Sequence, residues 1–254
     1  MSNSIFVTGA ASGIGRATAE LFATRGWRVA VADRDQAGAT TVATSLGAAA
    51  TPFCVDVLDE QGLARSIEAF CGAQGKLTVM FNCAGLVDMR PLVESSLERQ
   101  FQVLDVNVKG VLNGIHAAMP YLRRNGAGHI VTMSSAAAVY GVPDEAVYSA
   151  SKFAVRALTE ALDIEFEPLG VRVSDVMVAY VNTPMVTAAA VQAKSIELLG
   201  VNVEAGQVAE TVWQAVHGSK VHWFATTADE EYFRGINAAS QDERRALVKS
   251  ITGY

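Results

Sequence analysis

Along the chain, short apolar and β-branched runs alternate with longer stretches whose apolar residues recur at helical spacing. Ile5–Thr8 predicts a strand, and Gly13–Arg25 predicts a helix with Ile14, Ala17, Leu21 and Phe22 on one face. Trp27–Asp33 and Thr51–Val57 read as the second and third strands, each followed by a helix, over Gln36–Leu46 and Asp59–Cys71. Leu77–Asn82 is a fourth strand. One long helical stretch, Ser96–Asn125, comes next, and Pro120 is expected to bend or shorten it near its end. His129–Ser134 and Val171–Val178 read as the fifth and sixth strands. Between them lies a helix over Tyr148–Glu167 that Pro168 and Gly170 stop. Val221–Phe224 supplies a seventh strand.

These strands are apolar throughout rather than alternating, so the sheet they build is covered on both faces. With helices between them, the pattern predicts an α/β fold: a doubly wound parallel sheet of about seven strands, in a single domain over residues 1–254. No repeat, low-complexity tract or linker divides the chain. The Ala-rich stretch Thr187–Ala193 and the last thirty residues fit the pattern least well, and specificity and assembly are expected to reside there. Residues 186–206 are expected to form a helical cover over a substrate.

Composition narrows the classes of function. Half of the 254 residues are hydrophobic, ample for a dry core, and the net charge of −6 excludes a protein that neutralises nucleic-acid phosphates. Cys54, Cys71 and Cys83 are too few and too scattered for a disulfide framework or a zinc site, and as free thiols they suit a reducing compartment. No apolar run reaches the length of a membrane helix, and the first residues lack the pattern of a secretory leader. A soluble, cytoplasmic protein without a metal site is the expectation.

The first candidate for chemistry is Thr8-Gly9-Ala10-Ala11-Ser12-Gly13-Ile14-Gly15, between the first strand and the first helix. Glycine serves where backbone turns sharply or approaches a phosphate, and the N-terminus of the helix favours an anion. Asp33 ends the second strand, 18 residues after Gly15, where a carboxylate can accept both ribose hydroxyls of an adenosine and repel a 2′-phosphate. Arg34 beside it is the competing feature, since a guanidinium can hold that phosphate.

Tyr148 and Lys152 are four residues apart, on one face of a helix. A phenol is a poor base at neutral pH unless nearby positive charge stabilises the phenolate. Ser135, thirteen residues earlier at the end of a strand, can donate to a substrate carbonyl oxygen, with Ser134 its competitor by position. Asn82-Cys83-Ala84-Gly85 closes the fourth strand at the rim where ligands sit in such sheets. Asn107 interrupts an apolar helical stretch, which suggests a kink or a bound water.

Taken together, these residues resemble the short-chain dehydrogenase/reductase family in its single-domain, Rossmann-like form of about 250 residues. The resemblance covers Ser4–Met185 and rests on Thr8–Gly15, Asp56, Asn82–Gly85, Asn107, Ser135, Tyr148–Lys152 and Thr183-Pro184-Met185. It implies an oxidoreductase that moves a hydride between NAD(H) and a secondary alcohol or ketone. Tyr148 would be the general acid or base, and Lys152 would hold the nicotinamide ribose and lower the pKa of the phenol. Ser135 would orient the substrate oxygen, and Asn107 would anchor a proton-relaying water. Gly9, Ser12, Gly13, Ile14 and Gly15 would meet the pyrophosphate and adjoining ribose. Asp33 would take the adenosine ribose, Asp56 and Val57 the adenine. Asn82, Ala84 and Gly85 would line the ribose and nicotinamide side, and Val181 and Thr183 the carboxamide. NAD is preferred over NADP because of Asp33.

The chain departs from the family where Val178-Ala179 replaces the usual Pro-Gly after the sixth strand, which leaves the path of that loop open. The C-terminal signature of the acyl-carrier reductase branch is also missing, so a role in fatty-acid synthesis is not expected. Tyr140 and Tyr180 are candidates for apolar pocket walls. Asp144 and Glu145 could contact a polar or cationic substrate, but solvated loop acids are the simpler reading. The four histidines show no ligand spacing. Helix faces near 101–122 and 149–166 are apolar on more than one side, which suggests burial against a partner chain, and the family resemblance implies a homodimer or homotetramer through them. A cofactor-binding regulatory protein and an epimerase or dehydratase using the same Tyr–Lys pair are the alternatives.

Overall fold

The computed structural model describes residues 3–254. In chain order, β1 (Ser4–Thr8), α1 (Gly13–Thr24), β2 (Arg28–Asp33), α2 (Gln36–Leu46), β3 (Ala50–Cys54), α3 (Glu60–Cys71) and β4 (Val79–Asn82) form the first half. A continuous helical stretch follows: α4 (Leu97–Leu104), a wider π-helical turn (Asp105–Lys109) and α5 (Gly110–Asn125). Then come β5 (Gly128–Met133), α6 (Ala146–Phe166), β6 (Val171–Met177), β7 (Val181–Asn182), α7 (Pro184–Thr187), α8 (Lys194–Leu199) and β8 (Val203–Glu204). The chain finishes with α9 (Ala205–His217), β9 (His222–Phe224), α10 (Thr227–Ala238) and α11 (Gln241–Thr252).

Seven strands pair in parallel in the order β3-β2-β1-β4-β5-β6-β9. Strand side chains alternate between two cores, as the period of two requires. Ile5 and Val7, Val29 and Val31, and Val131 and Met133 face α1, α2 and α9. Phe6, Ala30, Met80 and Ile130 face α3, α5 and α6. Each fully buried large side chain in these layers contributes about 1.5–3 kcal/mol. Both faces being covered is what makes the strands read as unbroken apolar runs.

Three details differ from the sequence expectation. The third strand ends at Cys54 rather than Val57. It is an edge strand, and there Pro52 can lack a ladder donor without loss. Pro120 does not shorten its helix, which continues to Asn125; Pro120 is exposed, so water can serve the carbonyl it leaves free. Finally, β7 and β8 form a two-stranded parallel ladder, Val181 opposite Val203 and Asn182 opposite Glu204. Two-residue ladders carry no periodicity and gave no signal.

Candidate active site

The turn after β1 is shaped by absent side chains. Gly9 has φ +68°, and a Cβ there would lie 2.8 Å from Ala84 Cα; a Cβ on Gly15 would lie 2.2 Å from Gly9 O. The turn therefore closes against both the fourth strand and its own helix only with bare backbone. Ser12 precedes α1 without a side-chain cap, so the first amides of that helix remain available. Asp33 is fixed beside the turn: Ala11 N donates to Oδ2 at 3.0 Å and Asp35 N to Oδ1 at 2.9 Å. Thr8 Oγ1 accepts from Cys83 N and Ala84 N at 3.1 and 3.2 Å, tying the rim of β4 to that of β1.

A cleft of about 340 Å³ runs along this carboxyl rim. Its wall includes Gly9, Ser12, Gly13, Ile14, Gly15, Asp33, Arg34, Asp56, Val57, Ala84 and Gly85 at one end and Ser135, Tyr148 and Lys152 at the other. Val181 and Thr183 border it from the loop after β6, and Ser134 shares the wall with Ser135. Asn82 and Asn107 are not in this wall. Strand alternation turns Asn82 with Met80 toward α5, where a Cβ on Gly114 would meet its Oδ1 at 2.1 Å. That corrects its expected place on the nicotinamide side. Asn107 is buried in the π turn, with Leu86 N donating to its Oδ1 at 2.8 Å. Its Nδ2 donates to Leu86 O and Ser151 Oγ at 2.9 and 3.0 Å. The kink expected at Asn107 is this wider turn, and it anchors the strand-to-loop exit that borders the cleft.

Ser135 leaves β5 in extended backbone, and its Oγ accepts from Ala137 N at 3.1 Å. Lys152 reaches under Tyr148, with Nζ 5.5 Å from the ring centre, and donates to Met133 O at 2.8 Å. Burial pulls Lys152 down to about 8. The phenol of Tyr148 is pushed above its ordinary range by burial first and by the charge of Glu145 second, while the Ser135 hydroxyl beside it works the other way. The lowering expected from Lys152 is not found within the protein alone: burial dominates, and the Ser135 hydroxyl is what opposes it. Burial also holds the Cys83 thiol up at about 12, so it stays protonated in the wall.

At the far end Tyr140 and Tyr180 line the cleft, as the sequence suggested, whereas the burial of Glu145 and the reach of Asp229 were missed. Glu145, expected to be solvated, is 3% exposed and borders the cleft. Tyr180 Oη donates to its Oε1 at 2.8 Å and meets Ser195 Oγ of α8 at 2.6 Å. Asp144 is only half-buried and takes donors from Tyr254 Oη and from Lys194 N at the start of α8. Where Val178-Ala179 replaces Pro-Gly, Asp229 of α10 fixes the loop instead: its Oδ1 accepts from Ala179 N at 3.0 Å. An acid in the first turn of a helix gave no hint of that reach across the fold.

A sequence model of the short chain dehydrogenases matches residues 3–194. The chain belongs to the short-chain dehydrogenase family. It is therefore an oxidoreductase by family. A 2,5-dichloro-2,5-cyclohexadiene-1,4-diol dehydrogenase of Sphingobium indicum is 40% identical over 184 residues, which cover 71% of this chain and 73% of that one. A short chain dehydrogenase/reductase from Burkholderia phymatum, solved with NAD, superposes with TM-score 0.81 at 29% identity, covering 92% of each chain. A short chain dehydrogenase from Burkholderia cenocepacia, solved with NADP, gives 0.82 at 26% identity over 98% of this chain and 97% of that one. The bare backbone at Gly9 and Gly15, the uncapped start of α1 and the fixed carboxylate of Asp33 suit a nicotinamide dinucleotide in this dehydrogenase.

Proposed function

We propose that this short-chain dehydrogenase interconverts a secondary alcohol and a ketone with NAD(H), with Tyr148 as the general acid or base. The observation that carries the reading is one cleft shared by the glycine turn and by Ser135, Tyr148 and Lys152. When bound, the dinucleotide supplies or takes up the hydride. Gly9, Ser12, Gly13, Ile14 and Gly15 would hold its pyrophosphate side, Asp33 its adenosine ribose, and Asp56 and Val57 its adenine. Ala84, Gly85, Val181 and Thr183 would hold the nicotinamide end.

Tyr148 Oη gives its proton to the substrate oxygen in reduction and takes it back in oxidation. Ser135 Oγ donates to the same oxygen and steadies the charge that builds there. Lys152, held at about 8 by burial, is poised to exchange protons near neutrality while holding the nicotinamide ribose. Both amide hydrogens of Asn107 are engaged, which leaves a lone pair on Oδ1 for a relay water. The alcohol substrate of the Sphingobium relative supports the reaction class. The Asp33 carboxylate favours NAD, since it repels a 2′-phosphate.

Tyr148→Phe tests the reading. It should lower kcat by about 10²–10⁴-fold, with NAD binding nearly intact by fluorescence titration. Normal turnover in that variant would remove Tyr148 from the mechanism. We also propose a homo-oligomer built on the outer faces of α4 and α6, where Leu97, Phe101, Phe153 and Ile164 are exposed.

A further inference from the structure

Three acids border the cleft: Asp33, Asp56 and Glu145. Asp33 ends β2 and Asp56 stands just beyond β3, at the dinucleotide end. Glu145 stands alone at the other end, three residues before Tyr148, as the last residue before α6. Apolar residues share the cleft wall with it, among them Met89, Val142 and Val186, together with the rings of Tyr140 and Tyr180. Its backbone is fixed on both sides, since its N–H donates to Val142 O at 3.1 Å and its carbonyl accepts from Ser149 N at 2.7 Å.

The carboxyl is buried without a charge partner. Among the described residues no Lys or Arg forms an ion pair with it. Oε1 accepts from Tyr180 Oη at 2.8 Å, whereas Oε2 takes no donor from the protein and is not sealed from the cleft. A buried carboxylate with an unfilled acceptor is costly, and besides taking up a proton it is relieved by a donor carried in by the molecule that fills the cleft.

We propose that Glu145 Oε2 accepts a hydrogen bond from a second hydroxyl of the substrate, so that the site prefers diols and hydroxy ketones on an apolar carbon frame over simple alcohols. The inference rests on the alcohol–ketone reading above and narrows it. A hydroxyl brings one donor, which one free oxygen satisfies. An ammonium brings three, and the apolar wall leaves two of them stranded. Glu145 and Tyr148 are about one helical turn apart along the chain, which suits two oxygens carried by one small ring. The network reaches further, because Tyr180 is held in turn by Ser195 of the covering helix. The carboxyl is thereby kept in place before any substrate arrives, which limits the ordering that binding requires.

The test compares cyclohexane-1,4-diol, cyclohexanol and 4-aminocyclohexanol with the wild-type enzyme, Glu145→Gln and Glu145→Ala. Two readouts apply: kcat/KM with NAD, and binding of each compound to the enzyme–NADH complex followed by nicotinamide fluorescence. The wild type should favour the diol over cyclohexanol by about tenfold or more in both, as expected for a hydrogen bond to a carboxylate. Glu145→Ala should bring that ratio to about one, and Glu145→Gln, which keeps an acceptor oxygen, should retain part of it. Melting temperatures confirm that the variants compared are folded. A ratio unchanged in both variants, or a wild-type preference for the amino alcohol, overturns the role given to Glu145 while the alcohol–ketone reading stands. Failure to reduce NAD with any of the three, or with a wider panel of alcohols, overturns that reading and this inference with it.

Discussion

At the scale of single residues, the two ends of the cleft make separable demands. Asp33→Ala removes the carboxylate meant for the adenosine ribose, so the preference for NAD over NADP should loosen by about 1–3 kcal/mol. The ratio of kcat/KM for the two dinucleotides measures it, and an unchanged ratio would transfer the role to Arg34. Glu145 makes a different demand, on stability. Burial lifts its pKa from the ordinary 4.5 to about 7. Between those values the unfolded chain has released a proton that the folded chain keeps. Stability therefore falls as pH rises from about 4.5 to about 7, by a few kcal/mol, and is level outside that window. Glu145→Gln should flatten the decline, read as melting temperature against pH, and parallel curves for the two proteins would refute it. That Tyr148, Lys152 and Ser135 share one cleft was legible only from the motifs taken together, since two residues four apart on a helix are a weak signal alone. The burial of Glu145 was not legible, because nothing local distinguishes an acid that caps a helix into water from one that the chain folds over. That distinction is made by Tyr180 and Ser195, thirty-five and fifty residues away.

At the scale of elements, most of the sheet and its helices follow from apolar period alone. α2 was placed to the residue, and the long helix was found with its π turn marked by the polar Asn107. What escaped were pieces held by distant partners. The loop after β6 lacks a Pro-Gly turn and takes its shape from Asp229, whose carboxylate Thr226 Oγ1 also donates to, at 2.7 Å. Asp229→Ala should leave the Ala179 N–H unpaired and loosen the wall beside Tyr180. We expect a loss of about 1–3 kcal/mol in urea denaturation and a rise in KM that exceeds the fall in kcat. A variant with wild-type stability and KM would show that the loop holds its path without α10. Asn82 teaches the converse lesson, since the rim motif was legible but its facing was not, until strand alternation turned the side chain toward α5.

At the scale of the whole molecule, the sheet is shielded by helices on both faces, yet α4 and α6 leave apolar side chains in water, Ile164 at 75% and Phe101 at 58% exposure. Phe101→Asp combined with Ile164→Asp should convert the proposed oligomer to monomers by light scattering, and unchanged mass would place assembly elsewhere. A second consequence concerns how the chain divides its labour. The short β7–β8 ladder clasps together the two ends of residues 183–202, so that this stretch leaves the scaffold and returns to it through one narrow neck. With the neck fixed, the closure entropy of what hangs from it grows by only about 0.6 kcal/mol for each doubling of length. Segments of other lengths could be grafted there, changing what the enzyme admits while the sheet, the glycine turn and the tyrosine stay as they are.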